Sequence, residues 1–522
     1  MKNIDTESRN PATGDVIGYS PKNSVADLKE AIRKARTAQE AWAALPVKER
    51  TRALSGIRSH LMENAEKIAA LISAENGKTR IDALATEVLP AVMAFDYYAS
   101  HAKRFLKPAL LPPGSLMLAN KWSRIFRVPY GVIGIISPWN YPFAIPFSEV
   151  VMGLVSGNAV ILKTATSTQL TGRQIEAGVR AAGLPEGLFS FINIAGDTAG
   201  DAFIECGIDK LFFTGSTQVG KKLMAKAAET LTPLNLELGG NDAMLVCEDA
   251  DLERASSGAV WAGLENCGQN CAGVERIYVH QSVYGPFLER LKAKVEAFRV
   301  GQDRDYNVDM GAMTTKSQTA KVRDHLEDAL KKGAAIVAQS HCPPPESRGN
   351  FLPATVIASV NHDMLVMREE TFGPVLAVMK VRDMEEAISL ANDSMYGLTG
   401  SVWSRNAGRA EQIARRIRAG VITINDHLMS HGMAETPWGG FKASGIGRTH
   451  GKIGLLEMTQ PQVVVHDLLG FARKNLWWHP YNEALYRGLL GAMRLFYGPK
   501  LRFRLPGIWP LLKILPRIFR AG

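Results

Sequence analysis

GVIGIIS, residues 131–137, runs directly into SPWNYPF, residues 137–143, and this stretch sets how the rest of the chain is read. A short run of β-branched and small apolar residues ends in a proline-bent turn that carries Asn140. The same texture recurs downstream in AVILK (159–163), FSFINI (189–194), KLFF (210–213) and AMLVC (243–247). Helical patterns lie between several of these runs, for example at 169–182 and 217–229. Short apolar strands alternating with helices indicate an α/β protein with a mostly parallel sheet covered by helices. A second α/β series follows, with helices expected near 283–299, 316–333 and 383–392 and the runs GPVLAVMKV (373–381) and GVITIN (420–425). The join between the two series falls near Gly239–Gly240. Upstream, Ser24 with Asp27 three residues later predicts the start of an amphipathic helix over 24–45. A second helix is predicted over 47–75, stopped by Gly77.

The chain has 522 residues, 46% of them hydrophobic and 21% charged, which excludes wholesale disorder and a collagen-like fibre. Its five cysteines form neither an even set nor a CxxC pair, so no disulfide framework and no metal site are expected. The net charge of +10 is concentrated at the C-terminus: residues 466–522 hold ten Lys/Arg, from Arg473 to Arg520, against Asp467 and Glu483. The body is therefore close to neutral, and no nucleic-acid motif accompanies the basic tail. The N-terminus is polar, without the apolar run of a secretory signal, and no stretch has 18 uninterrupted apolar residues. A cytoplasmic, reducing setting is expected.

Four short motifs carry candidate chemistry. GQNCAG (268–273) sets Cys271 among small residues that let a substrate and backbone amides approach; alone, such a cysteine is as compatible with a packed core. LELGGN (236–241) places Glu237 before two glycines, as a general base or a plain surface carboxylate. Asn140 is an oxyanion donor or a turn asparagine. FTGSTQVG (213–220) follows a strand and opens a helix, a phosphate-binding form or an ordinary βα turn.

In this order and spacing, together with Lys163, EETFGP (369–374) and PWGGFKASGIGR (437–448), the motifs resemble the aldehyde dehydrogenase superfamily over roughly residues 8–465. The resemblance implies a Rossmann-type cofactor domain (1–108 and 128–239) and an α/β catalytic domain (240–440). It also implies oligomerisation segments (109–127 and 441–465) and a homodimer or homotetramer. Cys271 matches the nucleophile that attacks the aldehyde, Asn140 the oxyanion donor, and Glu237 the base that activates water to hydrolyse the thioester. Lys163 matches the residue that bonds the adenosine ribose, and Gly215, Ser216 and Gly220 belong to the phosphate-binding turn. Ser137, Pro138 and Trp139 line the cofactor cleft; Glu370 matches the carboxylate on the nicotinamide ribose, with Phe372 its packing partner.

The sequence departs from the family pattern after Lys163, where Thr166 stands at the usual glutamate position. A glutamate there would repel a 2′-phosphate and a threonine does not, so NADP is expected to be accepted alongside NAD. The presence of Glu237 favours release of a free carboxylic acid. The segment 425–440 contains no Lys or Arg, while Tyr141, Leu428, Met429, Met433 and Trp438 are bulky and apolar or aromatic. An apolar fatty or aromatic aldehyde is therefore expected, with a succinate-semialdehyde-type dehydrogenase as the alternative. His427 and His431 read as residues of a solvated loop that could also bind a polar group.

Within the basic tail 466–522, the stretch 470–522 reads as an appendage cut by prolines into pieces too short for domain helices. Leu485, Leu489, Met493 and Phe496 share one helical stripe, with Arg487 and Arg494 on another side. Clustered cations and aromatics suit peripheral contact with an anionic membrane surface, and packing against the protein's own assembly is the alternative. A non-catalytic, membrane-recruited scaffold on the same fold is the remaining rival.

Overall fold

The computed structural model describes residues 5–344 and 347–519. The first four residues of the polar N-terminus and Arg520 of the basic tail lie outside the described residues. The chain forms two compact units, Met1–Phe105 with Pro129–Thr459, and Leu106–Val128 with Gln460–Gly522.

The first unit contains two large sheets. One has six strands in the order Gly445–Ile446, Leu234–Glu237, Lys210–Thr214, Val132–Ile136, Ala159–Lys163, Phe189–Phe191. All are parallel except Gly445–Ile446, which runs against Leu234–Glu237. Val132–Ile136 and Ala159–Lys163 are buried along their whole length, as strands covered on both faces by helices must be. The other sheet has seven strands in the order Ala335–Gln339, Thr355–Ala358, Val375–Val381, Val274–His280, Asp242–Val246, Thr399–Trp403, Val421–Ile424. Only Ala335–Gln339 is antiparallel to its neighbour. The chain passes from the first sheet to the second between Glu237 and Asp242, through Gly239 and Gly240.

Parallel pairing places the C-terminal ends of four neighbouring strands on one edge. Ser137, Lys163, Gly215 and Glu237 are there because each ends or directly follows its strand. Ligand crevices of parallel α/β sheets lie along this edge.

The predicted helix over 24–45 forms as Val25–Ala44, with Ser24 and Asp27 making a reciprocal capping box. The expected single helix over 47–75 is two, Val47–Ala53 and Ser55–Asn76, broken at the fully buried Leu54. The second piece packs against the helix Gln169–Ala181 so closely that a Cβ on Gly56 would meet the Ala182 backbone at 2.8 Å. A continuous helix aimed by the first piece would not meet that neighbour. Gly77 ends the helix in the left-handed conformation, φ 100°.

In the second unit, Thr459–Asp467, Lys121–Pro129 and Ala109–Leu111 form a three-stranded sheet. The segment 441–465 is thus divided: Gly445–Ile446 joins the six-stranded sheet, and only its end joins the smaller one. The prolines do not cut the tail as expected, because a 15-residue helix, Glu483–Tyr497, fits between Pro480 and Pro499, capped by Asn482. Its buried stripe is Leu485, Gly488, Gly491 and Ala492, while Met493 is exposed. The helix Ile508–Ile514 explains the shift. It lies so close that a Cβ on Gly488 would meet Ile514 Cδ1 at 2.4 Å and one on Gly491 would meet the Gly507 carbonyl at 2.6 Å. No helix among the described residues is long and apolar enough to cross a membrane.

Candidate active site

The turn carrying Asn140 is held from below by charge. Lys78 and Glu87, both fully buried, pair at 2.8 Å. Glu87 accepts the backbone N–H groups of Phe143 and Ala144 at 2.8 and 2.9 Å, so its carboxylate sits where the helix Ala144–Val155 begins and compensates the exposed amides. Lys78 Nζ donates to the Asn140 carbonyl at 2.9 Å, and Asn266 Nδ2 donates to the same oxygen at 2.9 Å. Asn140 is 3% exposed, and its side-chain amide donates to the Gln269 carbonyl at 3.0 Å, tying this turn to the cysteine loop.

The cysteine loop is strained on its near side: Asn266 and Cys267 have φ 50° and 59°, in the left-handed region. Cys267 is buried and unpaired, in a packing role and not on a helix with Cys271. On the far side the Ala272 N–H bonds Asn270 Oδ1 at 2.9 Å, closing the turn around Cys271. Gly240 is required here, because a Cβ would stand 2.2 Å from the Cys271 carbonyl. His427, far from being solvated, is buried behind the loop, with Nε2 donating to the Ala272 carbonyl at 3.0 Å and Nδ1 meeting Ser401 Oγ at 2.7 Å. Burial holds it neutral, with its pKa pushed down to about 4.

Cys271 is half-buried and lines three cavities at once. Burial, reinforced by the charges of Glu370, Asp242 and Glu237, pushes its thiol far above the ordinary range. The resting sulfur is therefore a neutral thiol that needs a base.

The first cavity, of about 680 Å³, brings Cys271 together with Pro138, Trp139, Asn140, Gly215, Ser216, Glu370 and Phe372. Ser216 Oγ caps the helix Thr217–Ala227 by accepting from Val219 N at 3.3 Å. Gly220 lies inside that helix and away from the cavity, abutting Leu238. Glu370 accepts from Gly240 N at 2.9 Å. Phe372, at φ 55°, meets Trp139 edge-on with ring centroids 5.5 Å apart. Its peptide is held by Glu275, which accepts the N–H groups of Thr371 and Phe372 at 2.8 and 2.7 Å. Ser137 and Lys163 lie outside the cavity lining but are joined to each other, Ser137 N donating to the Lys163 carbonyl at 3.0 Å. Lys163 is 4% exposed, and burial lowers its pKa to about 8 against the opposing charge of Asp197. Thr166 is exposed one turn further on, in a 3₁₀ segment.

The residues along this edge fit a pyridine dinucleotide. Ser137 Oγ is buried with no partner, Lys163 is a buried cation without a salt bridge among the described residues, and glycine at 215 keeps the strand end narrow. Lys321 and Gln318 line the same cavity and were not singled out in the sequence, since each sits among many similar residues on the amphipathic helix Lys316–Lys331.

The second cavity, also about 680 Å³, joins Cys271 to Tyr141, Leu428, Met429 and Trp438. Ala85, Leu89, Pro90, Met93, Ile145 and Trp261 complete most of its wall, and no Lys, Arg, Asp or Glu lines it. Tyr141 Oη donates to Glu265 and accepts from Asn270 Nδ2 at 2.5 Å, so its polar end is turned from the cavity into a buried network. Met433 is exposed and is not part of the wall.

The third cavity, about 400 Å³, carries Glu237, Glu149, His431, Thr449 and His450 beside Cys271. Both Glu237 carboxylate oxygens are buried without partners. Burial and the charge of Glu149 push its pKa well up, against a smaller lowering by Arg448. His431 is a wall residue, not part of a solvated loop, packed on Trp438 and His450 with ring centroids 5.0 and 4.7 Å away.

A thiol, a side-chain amide and an unpartnered carboxylate gathered beside a cleft at the strand ends match the arrangement of a dehydrogenase. The sequence profile of the aldehyde dehydrogenase family matches residues 2–464, and the chain belongs to that family. It is an NAD- or NADP-dependent aldehyde dehydrogenase. It is 38% identical over 490 residues to a 4,4′-diapolycopene aldehyde oxidase of a Methylomonas species, covering 94% of this chain and 90% of that one. A putative NADP-dependent succinate-semialdehyde dehydrogenase of Mycobacterium ulcerans is 35% identical over 453 residues, 87% of this chain and 86% of its own. The crystal structure of an aldehyde dehydrogenase from Brucella melitensis biovar abortus superposes with a TM-score of 0.84 at 34% identity, over 89% of this chain and 94% of that one.

Proposed function

We propose that the enzyme oxidises a long apolar aldehyde to its carboxylic acid, hydrolysing a thioester on Cys271, at an anionic membrane surface on the cytoplasmic side. The observation that carries this reading is that one sulfur is shared by three cavities with different walls.

Cys271 gives its thiol proton to Glu237, which releases it to water, and the sulfur attacks the aldehyde carbon presented from the apolar cavity. The Asn140 amide and the Cys271 backbone N–H donate to the oxygen as it becomes an oxyanion. NAD(P)⁺, when bound along the strand edge by Lys163, Ser216, Glu370 and Phe372, supplies the hydride acceptor. Glu237 then takes a proton from water, whose oxygen bonds to the thioester carbon and displaces the Cys271 sulfur. Thr166, exposed and uncharged, leaves room for a 2′-phosphate.

An apolar substrate is supported by a cavity wall without charge and by an exposed apolar rim, Leu89, Met93, Trp261 and Met429. A carboxylated semialdehyde would leave its anion without a cation there, although relatives are named for that substrate. Membrane contact is supported by the second unit, where Leu501, Phe503, Trp509, Leu512 and Phe519 are exposed beside Arg502, Lys513 and Arg517. The Methylomonas relative matches 94% of the chain, which includes part of the segment beyond 464 where the family profile stops. All five cysteines are unpaired, as suits a reducing compartment. The second unit gathers the expected oligomer-forming segment 109–127 and is proposed to join subunits into a dimer or tetramer.

The test is an aldehyde panel from short to long chain, with carboxylated and aromatic members, on the intact protein and Cys271→Ser. Expected are kcat/KM rising with chain length and loss of all oxidation in the variant. Undiminished oxidation by Cys271→Ser refutes the covalent route, and a preference for the carboxylated members refutes the apolar substrate.

A further inference from the structure

The helix Ala144–Val155 is buried at every position, and Glu149 is its one ionisable residue. A lone carboxyl inside such a helix asks for an ion pair, and it has none among the described residues, where Glu149 Oε2 is buried without a partner. Its side chain opens into the same small cavity as Glu237, whose two oxygens are equally unpartnered. Two carboxyls facing one enclosed space cannot both ionise without strong repulsion, so they titrate as a pair.

We propose that Glu149 is the proton partner of Glu237, the pair holding and passing on the proton released by the attacking water. This rests on the assignment of Glu237 as the hydrolytic base. The water O–H bond breaks as the oxygen bonds to the thioester carbon, and the proton goes to Glu237. The carbon–sulfur bond breaks with its electron pair leaving on Cys271. Glu149 enters the step protonated, so the pair then holds two protons and gives one up to the departing Cys271 sulfur, which returns to the neutral thiol and leaves Glu237 a base again for the next turnover. No oxidant or reductant enters this half-reaction.

The other groups that face the cavity are poorer places to store a proton than the two carboxyls. His431 and His450, from the segments on either side of Trp438, are kept neutral by burial. Thr449 brings a hydroxyl that cannot hold a charge. Arg448 carries the cation that acts on Glu237, and it lowers the pKa of that carboxyl less than Glu149 raises it. Burial pushes Glu149 itself up to about 8, so it exchanges protons in the range where turnover is measured. Cys271 is the remaining titratable group in the cavity, held as thioester until the carbon–sulfur bond breaks and free to take the proton once it has.

Glu149→Gln separates this role from packing. The readouts are the pre-steady-state burst of reduced cofactor and the pH profile of kcat, on the full-length enzyme with a good substrate from the panel. Expected are an unchanged burst, a plateau kcat about tenfold lower, and a rising limb displaced by about one pH unit to lower pH, since Glu237 no longer titrates against a second carboxyl. A limb and plateau that overlay those of the parent overturn the proposal. Glu149→Asp keeps a carboxyl in the cavity, and restoration of the parental limb by it supports the pair while the Gln profile overturns it. Glu237→Gln is the control for the underlying reading. Burst without turnover upholds the base, whereas undiminished turnover overturns the base and the pair together.

Discussion

Glu149→Gln is expected to stabilise the protein at neutral pH, and by an amount that depends on pH in a way no packing change can imitate. Burial raises this carboxyl from its ordinary 4.5 to about 8. A folded pKa above the unfolded one means the contribution to stability is full below the unfolded value and is lost as pH rises toward the folded value. At about pH 7 the unfolded chain has released the proton and the folded chain still holds it, which costs about 3 kcal/mol. At about pH 5 the same linkage costs only about 1 kcal/mol. Glutamine removes both amounts and adds a fixed cost of about 1–3 kcal/mol for a buried amide with poor partners.

The fixed cost cancels when the two pH values are compared. The stability of the variant relative to the parent should improve by about 2–3 kcal/mol between about pH 5 and pH 7. For a protein of this size that is a change of roughly 2 °C in the difference between the two melting temperatures. Thermal unfolding followed by tryptophan fluorescence in matched buffers measures it directly. Melting temperatures that differ by the same amount at both pH values would show that Glu149 is ionised throughout, and the reasoning about the buried pair would fail with it.

Three further outcomes are expected. Glu87→Ala leaves the Lys78 charge buried alone and strips two amides of their acceptor, so the protein should lose about 3–5 kcal/mol of stability, measured by urea unfolding; a loss below about 1 kcal/mol contradicts the buried pair. Thr166→Glu places a carboxylate where a 2′-phosphate would lie, and KM for NADP should rise at least about tenfold with KM for NAD little changed; equal effects on both cofactors contradict the assignment. Replacing the exposed Leu501, Phe503 and Trp509 by serine should release the enzyme from vesicles containing anionic lipid, with oxidation of a short soluble aldehyde unchanged. Equal co-sedimentation of variant and parent rules out the membrane face.

What the sequence disclosed and what it withheld follow from how far each signal reaches along the chain. The strands Val132–Ile136, Ala159–Lys163 and Lys210–Thr214 are local apolar runs, and each forms within a residue or two of its expected span. The cap at Ser24 and the stop at Gly77 are equally local. The break at Leu54 depends on a helix more than a hundred residues away, and no pattern inside 47–75 encodes it. The buried face of Glu483–Tyr497 was misjudged for the same reason: hydrophobicity pointed to Met493, but close approach of Ile508–Ile514 selects the small residues Gly488 and Gly491.

Glu149 shows the limit most plainly, and also where it can be passed. In SEVVMGL a single glutamate looks like the polar side of an amphipathic helix, and only the burial of all its neighbours makes it anomalous. A charge at an interior position costs several kcal/mol unless it is paired or neutral. Since Glu149 has no ion pair, neutrality is the remaining way to keep it there, and a neutral carboxyl that faces a second one is a proton store. Cys271, the proposed nucleophile, stands out by its motif because the chemistry proposed for it constrains its immediate neighbours. A residue that acts only through another carboxylate has no such local constraint, so its role becomes visible at the level of the shared cavity.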